Sequence, residues 1–198
     1  MAQKIEFWFE FASTYSYPAA MAVEDACTQA GVGLVWRPFL LGPVLAAQGL
    51  DGSPFTVFPV KGAYMWRDVE RLCADASLAF HKPSAFPRGS MLAARIVAAH
   101  EGAPWTGAFV RAVYAANFAD DRDIGDGAVI GAILSAMGLD PAAVIDAAGT
   151  PEAKTALRAA TEEAQVRGIF GAPSFTVGDE LFWGHDRMDQ AIAWAARG

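Results

Sequence analysis

Hydrophobic and polar positions divide the chain into three stretches of different character. Residues 4–10, Lys-Ile-Glu-Phe-Trp-Phe-Glu, alternate with the period of two that marks a strand. Ile5, Phe7 and Phe9 share one face. Trp8 makes the other face partly apolar, which predicts a strand covered on both sides. Residues 16–30 place Met21, Val23, Cys27 and several alanines on one stripe and stop at Gly31, which predicts a helix. Residues 33–39, Gly-Leu-Val-Trp-Arg-Pro-Phe, predict a second strand ended by Pro38. Strand, helix, strand in this order packs naturally as a right-handed unit with a parallel strand pair.

The middle of the chain differs. Gly42, Pro43, Gly49, Gly52, Pro54 and Pro59 make the segment from Gly42 to Pro59 read as a long loop, with room for a short turn of helix. Beyond it only helical spacing recurs, over 61–76, 88–101, 104–117, 125–137, 141–148 and 151–168. Pro104 and Pro141 suit first helical turns, where a missing N–H costs nothing. The last stretch returns to strands. Ser174-Phe175-Thr176-Val177 and Glu180-Leu181-Phe182-Trp183 flank Gly178-Asp179, a hairpin signal, and 186–196 predicts a closing helix with Met188, Ile192 and Ala195 inward. The order β-α-β, helical block, β-β-α predicts an α/β fold: a thioredoxin-like domain interrupted by an all-helical insertion. Residues 1–60 and 168–198 form the thioredoxin-like part and 61–167 the insertion, whose last helix bridges back.

Composition narrows the classes. The chain has 198 residues, 54% hydrophobic and 19% charged, with a net charge of −7. Disordered chains are less apolar, and nucleic-acid-binding proteins usually present a basic face. Lys4, Glu6 and Glu10 interrupt the first apolar run, unlike a signal peptide, and no run is long enough for a membrane span. The expectation is a cytoplasmic protein that binds neither membrane nor nucleic acid. Cys27 and Cys73 form no Cys-x-x-Cys pair and read as buried small hydrophobes. His81, His100 and His185 have no metal-ligand spacing, so no metal is expected.

In thioredoxin-like proteins the junction between the first strand and its helix carries the reactive thiols, because a helix N-terminus stabilises a thiolate. Here that place holds Ser13-Thr14-Tyr15-Ser16. Serine cannot exchange disulfides, so redox catalysis at this point is excluded. Two roles stay open for Ser13 and Ser16: a hydroxyl that donates to an external thiolate, or a helix N-cap. Pro173, at the start of a strand, is either an ordinary trans proline or a cis proline exposing the backbone of Ala172.

Several stretches together resemble the 2-hydroxychromene-2-carboxylate isomerase family, which is close to kappa-class glutathione transferases and DsbA-like thioredoxin proteins. They are Phe-Trp-Phe-Glu-Phe-Ala-Ser-Thr-Tyr-Ser-Tyr at 7–17, Trp-Arg-Pro at 36–38, Lys-Gly-Ala-Tyr-Met at 61–65, Phe-Pro-Arg-Gly-Ser at 86–90, Gly-Ile-Phe-Gly-Ala-Pro-Ser-Phe at 168–175 and Gly-Asp-Glu-Leu-Phe-Trp-Gly-His-Asp-Arg-Met at 178–188. The resemblance implies a glutathione site. Ser13 matches a serine that hydrogen-bonds the glutathione sulfur, and Lys61 a lysine near the glycine carboxylate. Ala172, before an expected cis Pro173, would pair with the cysteinyl backbone. His185 and Asp186 match residues at the γ-glutamyl end, Asp186 facing the ammonium and also placed to cap the last helix. Thr14, Gly52 and Gly89 depart from the family pattern.

The resemblance further implies a glutathione-dependent cis-trans isomerase of an unsaturated aromatic carboxylate, working as a homodimer. A kappa-like glutathione transferase and a non-redox thiol- or peptide-binding module are the alternatives. Tyr64, with Trp66 and Arg67 beside it, is a candidate for a second-substrate pocket, against a core role for aromatics at that spacing. Arg88 is a candidate for the substrate carboxylate, against a solvated surface position.

Overall fold

A computed structural model describes residues 4–197. Four strands form one mixed sheet in the order β2-β1-β3-β4. Strand β1 (Lys4–Phe9) runs parallel to β2 (Gly33–Pro38), with Lys4 opposite Gly33 and Phe9 opposite Pro38. Strand β3 (Ser174–Val177) is antiparallel to β1, and β4 (Glu180–Trp183) is antiparallel to β3. The first and last segments of the chain therefore share one sheet, as a thioredoxin-like fold requires.

Both faces of β1 are covered. Ile5, Phe7 and Phe9 join the main core with Val23 and Cys27 of α1 (Ser16–Ala30) and with Ile192 and Ala195 of α10 (Met188–Ala196). Phe7 stacks on Phe175 across the strand pair at 5.1 Å. Burying each such ring stabilises the fold by roughly 2–3 kcal/mol. Trp8 points the other way, into a smaller core with Phe39, Val44, Ala164 and Ile169. Its indole N–H donates to Thr176 Oγ1 at 3.0 Å, and the guanidinium groups of Arg37 and Arg167 lie over the ring at 5.5 and 5.7 Å. Glu6 ties the same two arginines to the sheet, at 2.8 and 3.2 Å.

Between β2 and β3 the chain is helical. The segment expected as a loop from Gly42 to Pro59 holds α2 (Leu41–Ala47) and α3 (Pro54–Val57), and α4 (Pro59–Asp75) begins within it. The prolines read as breakers are helix starters. Pro54 and Pro59 occupy first helical positions, and Ser53 caps α3 by accepting the Phe55 N–H at 3.3 Å. The remaining helices are α5 (Met91–Ala99), α6 (Thr106–Phe118), α7 (Gly127–Ala136), α8 (Pro141–Gly149) and α9 (Pro151–Val166). Helix α6 starts after Pro104 rather than on it, while Pro141 opens α8 under an Asp140 cap, as expected. Helix α9 returns to the sheet: Thr161 Oγ1 accepts the Leu40 N–H at 3.0 Å. Among the described residues no helix is long and apolar enough to cross a membrane.

Helix α5 starts later than expected: residues 84–87 bend, with a cis Phe86–Pro87 peptide, residues 88–90 are irregular, and this segment seats Arg88. The solvated position considered for Arg88 is not what the structure holds; the residue is only 8% exposed. Its guanidinium donates to the carbonyls of Asn117, Asp121 and Arg122, to Asn117 Oδ1, to Ser84 Oγ and to the Asp121 carboxylate. A guanidinium only donates, so Asn117 must turn Oδ1 toward it and Nδ2 away. That Nδ2 then donates to the Phe11 carbonyl at 3.1 Å. Replacing Arg88 by Met should leave several buried carbonyls without donors and cost about 3 kcal/mol, read as a lower urea midpoint. An unchanged midpoint would contradict the clamp.

Candidate functional site

The turn between β1 and α1, residues 10–15, is held almost entirely from the helical block. The Tyr114 hydroxyl donates to the Glu10 carbonyl at 2.9 Å, and Asn117 holds Phe11. The Thr14 hydroxyl donates to the Met65 sulfur at 2.9 Å, the Tyr15 hydroxyl to Asp68 at 3.0 Å, and the Tyr17 hydroxyl to the Ala79 carbonyl at 2.7 Å. Ser13 turns the other way. Its hydroxyl donates to the Ala172 carbonyl at 2.9 Å, across to the segment that precedes β3. The Ala172–Pro173 peptide is cis, and the Pro173 carbonyl accepts the Gly184 N–H at 2.9 Å. Strand–helix junction, cis-proline segment and the start of the last helical segment thus converge.

Neither serine caps α1. The N-cap position is Tyr15, which makes no side-chain cap; in the first turn the Tyr17 N–H donates to the Thr14 carbonyl at 3.3 Å, and Pro18 has no N–H. Ser16 is fully buried, with its hydroxyl unpartnered among the described residues. The capping role left open for Ser13 and Ser16 is therefore corrected.

The other expected residues fall around this point. Lys61 lies one helical turn before Met65 on α4, the side that meets Thr14, and its ammonium stands 5.7 Å over the Phe58 ring. His185 and Asp186 sit on a 3-10 turn, His185–Arg187, that packs against α1. The His185 ring is half-buried, its Nδ1 is enclosed without a partner among the described residues, and burial holds its pKa below the usual imidazole value against the pull of Asp186 and Asp189. Asp186 is exposed and pairs with Arg187 at 3.2 Å. It does not cap α10, which starts two residues later with no side-chain cap. Gly184, at φ +107°, lets the turn close, because a Cβ there would lie 2.5 Å from the Asp186 carboxylate.

Tyr64 is 62% exposed and carries the Arg71 guanidinium over its ring at 5.7 Å, so it is not a core aromatic. Trp66 and Arg67, with Phe80, His81 and Lys82, line a cavity of about 380 Å³ on another side of α4, and no residue of the Ser13 turn lines it. Arg88 lies behind the turn, both its terminal nitrogens engaged internally, and so offers them to no substrate carboxylate. Cys27 and Cys73 are buried and free, their thiols pushed up to about 11 by burial. Neither supplies a thiolate at neutral pH. Among the described residues no group of three or more His, Cys, Asp and Glu side chains is placed to hold a metal ion.

One residue at the site escaped the sequence reading. Glu10 is 8% exposed, and its carboxylate accepts the Ala12 N–H at 2.9 Å and the Ser90 hydroxyl. Its signal is an acid at the end of the apolar run Phe7-Trp8-Phe9, where a buried strand has no use for a charge. Burial raises its pKa from 4.5 to about 7, against the lowering by its hydrogen bonds. The folded chain therefore keeps a proton that the unfolded chain has lost between those two values, so stability falls as pH rises through them. Glu10→Gln removes the ionisable group and keeps an acceptor for Ala12 and a donor for Ser90. It should match the parent's urea stability near pH 5 and exceed it at pH 8, by up to about 3 kcal/mol. A difference independent of pH would contradict the buried, raised carboxyl.

The family description "DSBA-like thioredoxin domain" matches residues 4–192. The 2-hydroxychromene-2-carboxylate isomerase of Sphingobium xenophagum is 30% identical over 189 residues, which is 96% of each chain. Among solved structures, a 2-hydroxychromene-2-carboxylate isomerase superposes with a TM-score of 0.88 at 22% identity, over 98% of this chain and 94% of the other. The cytosolic disulfide reductase DsbM of Pseudomonas aeruginosa, determined with GSH, gives a TM-score of 0.68 at 15% identity, over 98% and 96%. Sequence and fold agree: the chain belongs to the DSBA-like thioredoxin family, among the relatives of the 2-hydroxychromene-2-carboxylate isomerases.

Proposed function

We propose that this protein is a glutathione-dependent isomerase of an unsaturated aromatic carboxylate of the 2-hydroxychromene-2-carboxylate kind. The observation that carries the reading is Ser13: a hydroxyl at the strand–helix junction, aimed across to Ala172, where a redox member of the fold would place a thiol. With both cysteines buried and protonated, a sulfur acting here must come from outside. The names of the relatives support the isomerase class. The GSH bound to DsbM supports the ligand, as a property of that protein.

The residues present fit glutathione. Its ends carry an ammonium and two carboxylates, and the site offers an acid, Asp186, exposed on the turn beside α1, and a base, Lys61, on α4. The Ala172 backbone, with its cis peptide, can pair with the cysteinyl unit. The Ser13 hydroxyl, rotated from the Ala172 carbonyl, would donate to the sulfur, and the uncapped N-terminus of α1 would favour its negative charge. Tenfold more thiolate requires only about 1.4 kcal/mol of differential stabilisation, within reach of one charge-assisted hydrogen bond. Bound glutathione would supply a thiolate that adds reversibly to the conjugated double bond, freeing it to rotate. The protein's part is to hold the thiol ionised, keep the acid in place and limit water at the reacting carbons.

The test is to incubate the enzyme with glutathione and 2-hydroxychromene-2-carboxylate and follow the product by mass and absorbance. The expected product has unchanged mass and forms only with glutathione. Ser13→Ala should lower kcat by about a hundredfold, the usual effect of losing a donor to developing negative charge, with little change in melting temperature. A product heavier by one glutathione would make the protein a transferase. Turnover indifferent to glutathione, or to Ser13→Ala, would overturn the reading.

A further inference from the structure

Six residues, 10–15, connect the end of β1 to the start of α1, and the conformation of that turn decides where the Ser13 hydroxyl points. Glu10 binds this turn twice. Its own carbonyl accepts the Ser13 N–H at 2.9 Å, and its carboxylate accepts the Ala12 N–H at 2.9 Å. The carboxylate is in turn held from outside the turn by the hydroxyl of Ser90, the residue preceding α5. The Tyr114 hydroxyl of α6 holds the Glu10 carbonyl from the same side. A buried carboxylate without a cationic partner is costly, and a structural tie at this point could be made by a neutral side chain. Both of its oxygens are nevertheless used on donors of the turn and of the helical block.

We propose that Glu10 is the positioning residue of the site: it fixes the Ala12–Ser13 backbone against the helical block, through Ser90, so that the Ser13 hydroxyl reaches across to Ala172. The proposal deepens the glutathione reading of Ser13 and rests on it for its functional half. Glu10 does not itself touch the sulfur; it acts through Ser13.

The tie survives protonation while the charge does not. A protonated Glu10 donates to Ser90 Oγ, whose own proton can rotate away, and the other oxygen still accepts from Ala12. The groups that face Glu10 are Ser90 ahead of α5, the Tyr114 phenol on α6 with Ser16 of α1 beside it, and the Ala12 and Ser13 amides of its own turn. Among the described residues no lysine, arginine or histidine pairs with it, and Arg88, two residues before Ser90, spends its guanidinium on α6 and the residues that follow it. The backbone at Ser13 therefore senses a carboxyl that titrates near neutrality.

Amide NMR of the glutathione-free protein, followed from pH 5 to pH 9, tests this directly. In the parent the Ala12 and Ser13 amide signals should move together with a midpoint of about 7. In Glu10→Gln the step should vanish with the signals still dispersed. In Ser90→Ala the midpoint should rise, because a hydrogen bond to the ionised carboxylate is gone. Calorimetry with glutathione gives the functional half. Ser90→Ala, with the tie to the helical block cut, should bind about tenfold more weakly, while Glu10→Gln, which keeps both ties, stays within about threefold of the parent. Amides that do not titrate, an equal step in Glu10→Gln, or parent-like binding by Ser90→Ala would each overturn the positioning role. If glutathione fails to bind the parent, the glutathione reading falls, and the amide titration still decides whether Glu10 holds Ser13.

Discussion

The hydrogen bond from the Ser13 hydroxyl to the Ala172 carbonyl joins two parts of the chain that the helical block keeps apart in sequence. The sheet makes that contact possible. Strand β1 pairs with β3 through Trp8 opposite Ser174, so the segment before β3 must pass beside the end of β1. The turn itself is bonded on its other side to α4 and α6, through Met65, Asp68, Tyr114 and Asn117. Ser13 is the residue that breaks from this pattern, so its hydroxyl faces the backbone of the cis-proline segment.

On the proposed reading, this arrangement serves to stabilise negative charge near Ser13. The N-terminal end of the α1 dipole provides positive potential. Glu10 works against it when ionised, and burial answers by holding the carboxyl largely protonated below neutral pH. A neutral Glu10 keeps its grip on the turn while adding no charge opposed to a thiolate. Arg88 belongs to the same design from further back: by setting the orientation of Asn117, it fixes Phe11 and so the next residue of the turn.

Much of this was legible in the chain. Alternation at Ile5, Phe7 and Phe9, with Trp8 on the reverse, showed a strand covered on both faces, and the Gly178-Asp179 turn showed the hairpin. Serines standing where thiols are expected pointed to the junction before any contact was visible. The helices at 41–47 and 54–57 were not legible, because proline and glycine signal both loop and helix start, and buried Val44 and Leu45 distinguish the two only once packed. Arg88 read as a surface residue because its partners lie about 30 positions away, and Asp186 read as a cap because one extra 3-10 turn is invisible to periodicity. Glu10 was hidden for a similar reason: its hydrogen-bond partners Ser90 and Tyr114 lie 80 and 104 positions along the chain.

The central claim is that this junction ionises a thiol it does not own. The most direct measurement is the pH titration of thiolate absorbance for glutathione bound to the protein, in the parent and in Ser13→Ala. The account predicts that the bound thiol titrates about one unit below free glutathione in the parent and returns toward the free value when the Ser13 hydroxyl is removed. A bound thiol that titrates like free glutathione, or one whose lowered value survives Ser13→Ala, would contradict it.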